Sequence, residues 1–103
     1  MQTHRKKRIE IIIEAPLQKR LTELLEGSEV SGFTILPAIA GQGEEGSWQR
    51  AGQVSDAGRM VIVICIVDPG RADEIVESIY GLLSRQIGIV TISDVEVIRT
   101  DKF

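Results

Sequence analysis

The sequence has few residues of the kinds on which enzymes and metal sites depend. It contains one cysteine, Cys65, and one histidine, His4, among 103 residues. A single cysteine excludes an internal disulfide and a site with several cysteine ligands. A lone histidine in a terminal segment leaves a serine or cysteine nucleophile without a suitable base. We therefore expect a protein that is not an enzyme and that uses no metal or catalytic cofactor.

Positive charge and long apolar runs are also scarce. The formal net charge is −3 at pH 7, whereas a nucleic-acid-binding protein needs a net basic face. The one basic cluster, His4 to Arg8, is short, and a solvated lead-in to the first strand explains it. No apolar run approaches the ~20 residues of a membrane helix, and no signal peptide is evident. We expect a cytoplasmic protein that does not bind nucleic acid.

Aromatic residues make up only 4% of the chain, and branched aliphatic residues supply most of the apolar side chains. These residues favour β-strands packed under helices. Apolar periodicity and turn residues predict strands at 8–14, 32–40, 60–67 and 89 to about 99, and helices from Pro16 to a C-cap at Gly27 and over 72–83. This βαββαβ order predicts an α+β, ferredoxin-like antiparallel sheet with two helices on one face.

The predicted fold leaves the other face of the sheet open. We expect Ile12, Leu36 and Val90 to lie there. A large exposed apolar face is commonly covered by another copy of the chain, so the sequence predicts a homo-oligomer. The length predicts one domain, residues 1–103.

A glycine-rich segment, residues 41–59, separates the second and third predicted strands. It shows no helical or strand periodicity, although a hairpin connection needs only ~2–5 residues, and loops of this length tend to be functional or disordered. Its start, Gly41-Gln42-Gly43-Glu44-Glu45-Gly46, has G-x-G-x-x-G spacing without the helix that a dinucleotide-binding fingerprint requires. The glycines can instead form an anion-binding nest of backbone N–H groups. A merely flexible loop is the alternative.

Four segments together resemble the PII signal-transduction superfamily in order and spacing. They are Gly32-Phe33-Thr34-Ile35, the glycine-led loop, Ile64-Cys65-Ile66-Val67-Asp68-Pro69 and Val97-Ile98-Arg99-Thr100. The chain looks most like the carboxysome-associated PII-like proteins. That resemblance implies a homotrimer that binds ADP or AMP, and bicarbonate, in clefts between subunits. It also implies that residues 41–59 are the flexible T-loop, which signals to a partner such as a bicarbonate transporter or a carboxysome-linked protein.

The resemblance further implies roles for individual residues. For the nucleotide, Thr34 would bond the adenine, the backbone of Cys65 and Val67 would line the base, and Gly41, Gln42, Gly43 and Arg99 would approach the phosphates. For bicarbonate, the same three loop residues would act with Arg50 and Arg59. Trp48, Gln49 and Arg50 would contact the partner, since tryptophan and arginine are common at interface hot spots. The alternative for Trp48 is a contact with its own subunit.

Two departures from the family pattern remove positive charge. The glycine- and lysine-rich phosphate loop is shortened to 84–88, and Val97 replaces the first arginine of the terminal R-x-R. We therefore expect ADP or AMP rather than ATP, with Arg85 as the substitute cation. The alternative function is a CutA-like or other ferredoxin-like trimer, a structural or metal-handling module without nucleotide.

Overall fold

The computed structural model describes residues 1–43, 46–49 and 59–98, of which 43 and 46–49 are described for the backbone alone. The elements are β1 (His4–Glu14), a 3-10 turn (Ala15–Leu17), α1 (Gln18–Gly27), β2 (Phe33–Pro37), β3 (Ala40–Gly43), β4 (Gly46–Gln49), β5 (Met60–Val67), α2 (Pro69–Leu83) and β6 (Gly88–Val97). Four strands form an antiparallel sheet in the order β2-β5-β1-β6. The predicted α+β, ferredoxin-like fold is confirmed.

Side-chain alternation along the central strand β1 separates the two faces of the sheet. Ile9, Ile11 and Ile13 are fully buried and belong to a core that includes Leu21 of α1 and Ile79 of α2. Both helices therefore cover the same face, and each buried isoleucine contributes about 1.5–3 kcal/mol to folding. We call the opposite face the outer face. It carries the even-numbered residues of β1, β2 and β5 and the odd-numbered residues of β6.

Val90 lies on the helix-covered face, so its predicted place on the open face is wrong. It stands opposite Ile11 in the register and packs against the core. The sequence of β6 is ambiguous here because Ile89 and Val90 are adjacent and both apolar. Ile12 and Leu36 do lie on the outer face, as predicted.

The basic residues near the N-terminus belong to β1 itself, which begins at His4. The prediction that residues 4–8 form a solvated segment before the first strand is therefore wrong. Lys6 pairs with Asp68, Lys7 with Asp94, and the hydrogen bond from Lys7 holds the pKa of the Asp94 carboxyl below its usual value. Carboxylates on neighbouring elements therefore compensate two of the cations of this cluster.

Two short strands lie within the segment that was predicted to lack regular structure. β3 and β4 pair in an antiparallel hairpin, with Gly41 opposite Trp48 and Gly43 opposite Gly46, and form a separate two-stranded sheet. Their sequences, AGQG and GSWQ, have no apolar alternation, so periodicity cannot reveal them. The rest of the predicted loop, at 44–45 and 50–58, lies outside the described residues.

The end of α1 differs from the predicted cap. Gly27 is the last helical residue, Ser28 is the C-cap, and the left-handed backbone conformation falls on Glu29, with φ of 59°. The Ser28 N–H donates to the Leu24 carbonyl over 3.0 Å. In the described part of the chain, neither helix is long and apolar enough to cross a membrane.

Candidate ligand site at the base of the long loop

Thr34 lies on β2, an edge strand of the sheet. Its neighbours Phe33 and Ile35 pack against the core, so alternation directs the Thr34 side chain to the outer face, where it is exposed. Its hydroxyl is able both to donate and to accept a hydrogen bond. Directly opposite on β5 stands Ile64. The edge strand thus presents one polar side chain in an otherwise aliphatic surrounding.

Cys65 and Val67 lie on β5 with their side chains in the core, 2% and 5% exposed. Burial raises the pKa of the Cys65 thiol to about 11, so this thiol stays protonated at neutral pH. Among the described residues, no three His, Cys, Asp or Glu side chains group in a way that could hold a metal ion. Any contact of Cys65 or Val67 with a ligand on the outer face would have to use the backbone.

The backbone of β5 alternates in the direction of its hydrogen bonds. The Arg59 carbonyl accepts from Ala15, next to β1, and the Met60 carbonyl accepts from Ala38, next to β2. By the antiparallel alternation, odd residues of β5 direct their N–H and C=O groups to β1, and even residues direct theirs to β2.

Ile64 and Ile66 therefore lie on the outer face together with Thr34, and their backbone groups are directed to β2. Ile66 lies one residue beyond the last pair between β5 and β2, which joins Cys65 to Phe33. Sequence reasoning missed these two positions. Since the odd-numbered isoleucines of β1 are buried and pair with odd residues of β5, the even residues of β5 must lie on the outer face.

The base of the long loop and the turn after α2 lie at the same end of the sheet, the first at the β2 edge and the second at the opposite β6 edge. There Pro37 pairs with Val61, and Gly88, at the end of that turn, pairs with Ile13. The exposed Arg85 lies in this turn. Thr34 lies three residues further along β2, or about 10 Å at the rise of a strand. An extended ligand could therefore contact both Thr34 and the loop base.

Gly41, Gln42 and Gly43 lie in β3 and have extended backbone conformation. A nest needs successive N–H groups that converge on one point, whereas those of a strand alternate in direction. The described hairpin is therefore not the predicted nest. Arg50 and Arg99 lie outside the described residues, and nothing is described of the side chains of Trp48 and Gln49.

Arg59 lines an open cleft of about 480 Å³ on the helix-covered face of the sheet. The lining residues are Ala15, Pro16, Gln18, Lys19, Ile35, Pro37, Arg59 and Val61. Thr34 lies on the other face of β2. The structure therefore brings Arg59 together with Lys19 and the start of α1, and separates it from Thr34.

Four aliphatic residues form a row across the whole outer face. Leu36, Ile62, Ile12 and Ile89 stand directly opposite one another on the four strands. Leu36 and Ile89 are 42% and 55% exposed. The next row contains Thr34, Ile64, Glu10 and Thr91, and Glu10 is bonded to Arg8 over 3.3 Å. The outer face thus combines an apolar row with a polar one.

Comparisons with known proteins identify the family. The profile of the family described as Nitrogen regulatory protein P-II matches residues 6–102. Among curated proteins, none matches this sequence. One similar solved structure is CPII, a nitrogen regulatory PII-like protein from Thiomonas intermedia, bound to ADP, AMP and bicarbonate. Its TM-score is 0.89 at 24% identity, over 99% of this chain and 96% of that one.

Two further structures agree. CPII bound to ADP and bicarbonate has a TM-score of 0.85 at 25% identity, covering 99% of this chain and 97% of that one. A protein from Thermus thermophilus, described as PII-like and signalling, has a TM-score of 0.83 at 26% identity, covering 100% of this chain and 99% of that one. The family profile spans nearly the whole chain, on a fold that these structures share. This chain therefore belongs to the PII family.

Proposed function

We propose that this PII-family chain is a non-catalytic regulator that binds an adenine nucleotide, ADP or AMP, at clefts between the subunits of a homotrimer. The observation that carries the proposal is the exposed Thr34 hydroxyl on an edge strand, about 10 Å from the base of the long loop. One similar CPII structure contains ADP, AMP and bicarbonate and another contains ADP and bicarbonate, which supports this choice of ligands.

The proposed nucleotide site extends along β2 towards the loop. Thr34 would bond the adenine, and the β5 segment from Cys65 to Val67 would line it, with the backbone groups of Ile66 directed to the β2 side. The phosphates would lie near 41–43, with Arg85 and Arg99 as cations. Charge-assisted contacts of this kind are about twice as strong as neutral ones. With two candidate cations, the site favours a nucleotide with one or two phosphates.

The proposed trimer would cover the apolar row on the outer face. Leu36 and Ile89 are too exposed in the single chain to be explained as core residues. Aliphatic residues aligned on every strand form a contiguous patch, and such patches mark interaction surfaces. A cleft between subunits would then form where β2 meets a neighbouring copy, next to Thr34.

Signalling would use the segment 41–59. A nucleotide that contacts both Thr34 and the loop base favours one arrangement of the segment, and a partner protein that recognises this arrangement senses the ligand. We propose that bicarbonate acts at the loop base with Arg50 and Arg59, and that the signal reports inorganic-carbon or energy status. The partner would be a bicarbonate transporter or a carboxysome-linked protein, contacted through 48–50.

Calorimetric titration with ADP tests the nucleotide site. Thr34→Val keeps the shape of the side chain and removes the hydroxyl, so ADP affinity should fall about 3- to 10-fold, the effect of one lost hydrogen bond. Thr91→Val is the matched control, because Thr91 is exposed in the same row on the opposite edge of the sheet. Equal affinities for the Thr34 variant and the unmodified protein would refute the assignment of Thr34. No ADP binding to the unmodified protein would refute the proposed function.

A further inference from the structure

Arg71, near the start of α2, joins the two helices through one side chain. Its Nη2 donates to the Ser28 carbonyl over 2.6 Å, and its Nη1 lies 3.5 Å from the Glu29 carbonyl oxygen. Both acceptors directly follow the last turn of α1. A single guanidinium therefore holds two consecutive carbonyl groups that lie 43 and 42 residues earlier in the chain.

The end of α1 explains why a cation is favourable at this place. The last carbonyl groups of a helix have no partner within the helix, and its C-terminal end carries a partial negative charge. The last turn of α1 contains no basic residue, so Arg71 of α2 supplies the cation. Glu74 accepts from Arg71 Nε over 2.9 Å. Because the Glu74 side chain is 65% exposed, this ion pair contributes little stability, but it orients the planar guanidinium.

The segment that Arg71 holds leads directly into the strand that carries Thr34. Residues 30–32 connect it to β2, whose first two residues are Phe33 and Thr34. In the described part of the chain, β2 pairs on one side only, and the pair of Phe33 with Cys65 is the last one at this end. The ends of elements open more readily than their centres. Holding residues 28–29 therefore limits the opening of β2 at the point where Thr34 lies.

We infer that Arg71 is a positioning residue for the nucleotide site, which it serves by ordering the first residues of β2. The inference rests on the proposed function, since it needs a nucleotide at Thr34. Arg71 belongs to a helix on the covered face of the sheet, whereas Thr34 lies on the outer face, so Arg71 acts through the backbone and not by contact with the ligand. The apparent affinity is reduced by the fraction of molecules in which the site is ordered, and Arg71 raises that fraction.

Calorimetric titration of Arg71→Gln with ADP tests this role. The variant should bind ADP about two- to fivefold more weakly, and the loss should not exceed that of Thr34→Val, because Arg71 acts through Thr34. Arg20→Gln is the matched control: it changes the charge equally at an exposed residue of α1 and should leave the affinity unchanged. Arg71→Lys keeps the charge but loses the planar fork, so its affinity should lie between those of Arg71→Gln and the unmodified protein.

Two measurements separate positioning from a general effect on stability. In Thr34→Val the hydroxyl is absent, so adding Arg71→Gln should leave the ADP affinity of that variant nearly unchanged, whereas independent effects would multiply. Hydrogen exchange without nucleotide is the second measurement. The Thr34 amide should exchange faster in Arg71→Gln, while the amide of Thr91, on the opposite edge strand, should not. Circular dichroism verifies that each variant is folded.

Three results would overturn the inference: an unchanged ADP affinity in Arg71→Gln, losses that multiply in the double variant, or equal acceleration of exchange at Thr34 and Thr91. Each of them would leave the nucleotide site in place, because the unmodified protein would still bind ADP. If the unmodified protein does not bind ADP, the proposed function itself is refuted, and the exchange of the Thr34 amide then shows only whether Arg71 orders β2.

Discussion

Replacing Ile89 with aspartate is expected to prevent the proposed trimer from assembling. Ile89 ends the apolar row on the outer face and is 55% exposed in the single chain. Full burial of an isoleucine is worth about 1.5–3 kcal/mol, so covering its exposed half contributes roughly 1–1.5 kcal/mol per copy and about 3–5 kcal/mol per trimer. Aspartate loses this contribution and adds the cost of removing a carboxylate from water.

The matched control is Ile92→Asp on the same strand. Ile92 is 45% exposed but lies opposite Ile9, on the face that carries the helices. Light scattering at several protein concentrations should show a trimer for the unmodified protein and for Ile92→Asp, and a monomer for Ile89→Asp. Circular dichroism verifies folding. A trimeric Ile89 variant, equal dissociation of both variants, or a monomeric unmodified protein would contradict the outer face as the interface.

Three further predictions concern stability and are measured by urea unfolding. Gly81→Ala should stabilise the protein by about 0.5–1 kcal/mol, because the added Cβ in α2 meets nothing within 4 Å. Gly88→Ala should destabilise it by about 1–3 kcal/mol, because its Cβ would lie 3.0 Å from the Ile12 carbonyl oxygen. The opposite order of stabilities would refute this packing. Glu29→Gly should relieve the positive φ and stabilise by about 0.5–1 kcal/mol, while Glu29→Ala, which keeps the strain, should not. The free energy of unfolding should decrease by about 2–3 kcal/mol between pH 9 and about 11. Folding raises the pKa of the Cys65 thiol from 9.0 to about 11, so the thiol of the unfolded chain ionises first. An identical pH slope in Cys65→Ala would contradict this.

The fold was predictable wherever burial imposes a period on the sequence. β1 alternates because one face is covered by helices, and α2 repeats Ile75 and Ile79 because one side of it meets the sheet. Pro37 indicates an edge or a bulged strand, since proline cannot donate to a ladder, and β2 is an edge strand. The hairpin of β3 and β4 has no such period, because its residues apart from Trp48 are small or polar, and its pairing could not be read from the sequence.

The candidate site was less predictable because the face of a strand depends on parity. A shift of one residue moves a side chain to the other face, so segments that resemble a family in order and spacing do not determine which residues face a ligand. Thr34, which was predicted to bond the adenine, is exposed in the structure. Cys65 and Val67 are buried, and Ile64 and Ile66 occupy the outer face beside Thr34.

The short edge strand β2 offers a physical route for coupling between two ligands. Its outer face presents Thr34 and Leu36, while Ile35 and Pro37 line the Arg59 cleft on the inner face. A nucleotide on one face and an oxyanion on the other would both restrict the same strand, directly before the long loop. The first ligand would then order the strand before the second one binds, so each ligand should increase the affinity of the other by the same factor. Calorimetry with ADP, with and without bicarbonate against a chloride control, should show this gain. It should be lost in Arg59→Lys and kept in Arg20→Gln, and a gain that survives in Arg59→Lys would mean that the coupling does not pass through β2.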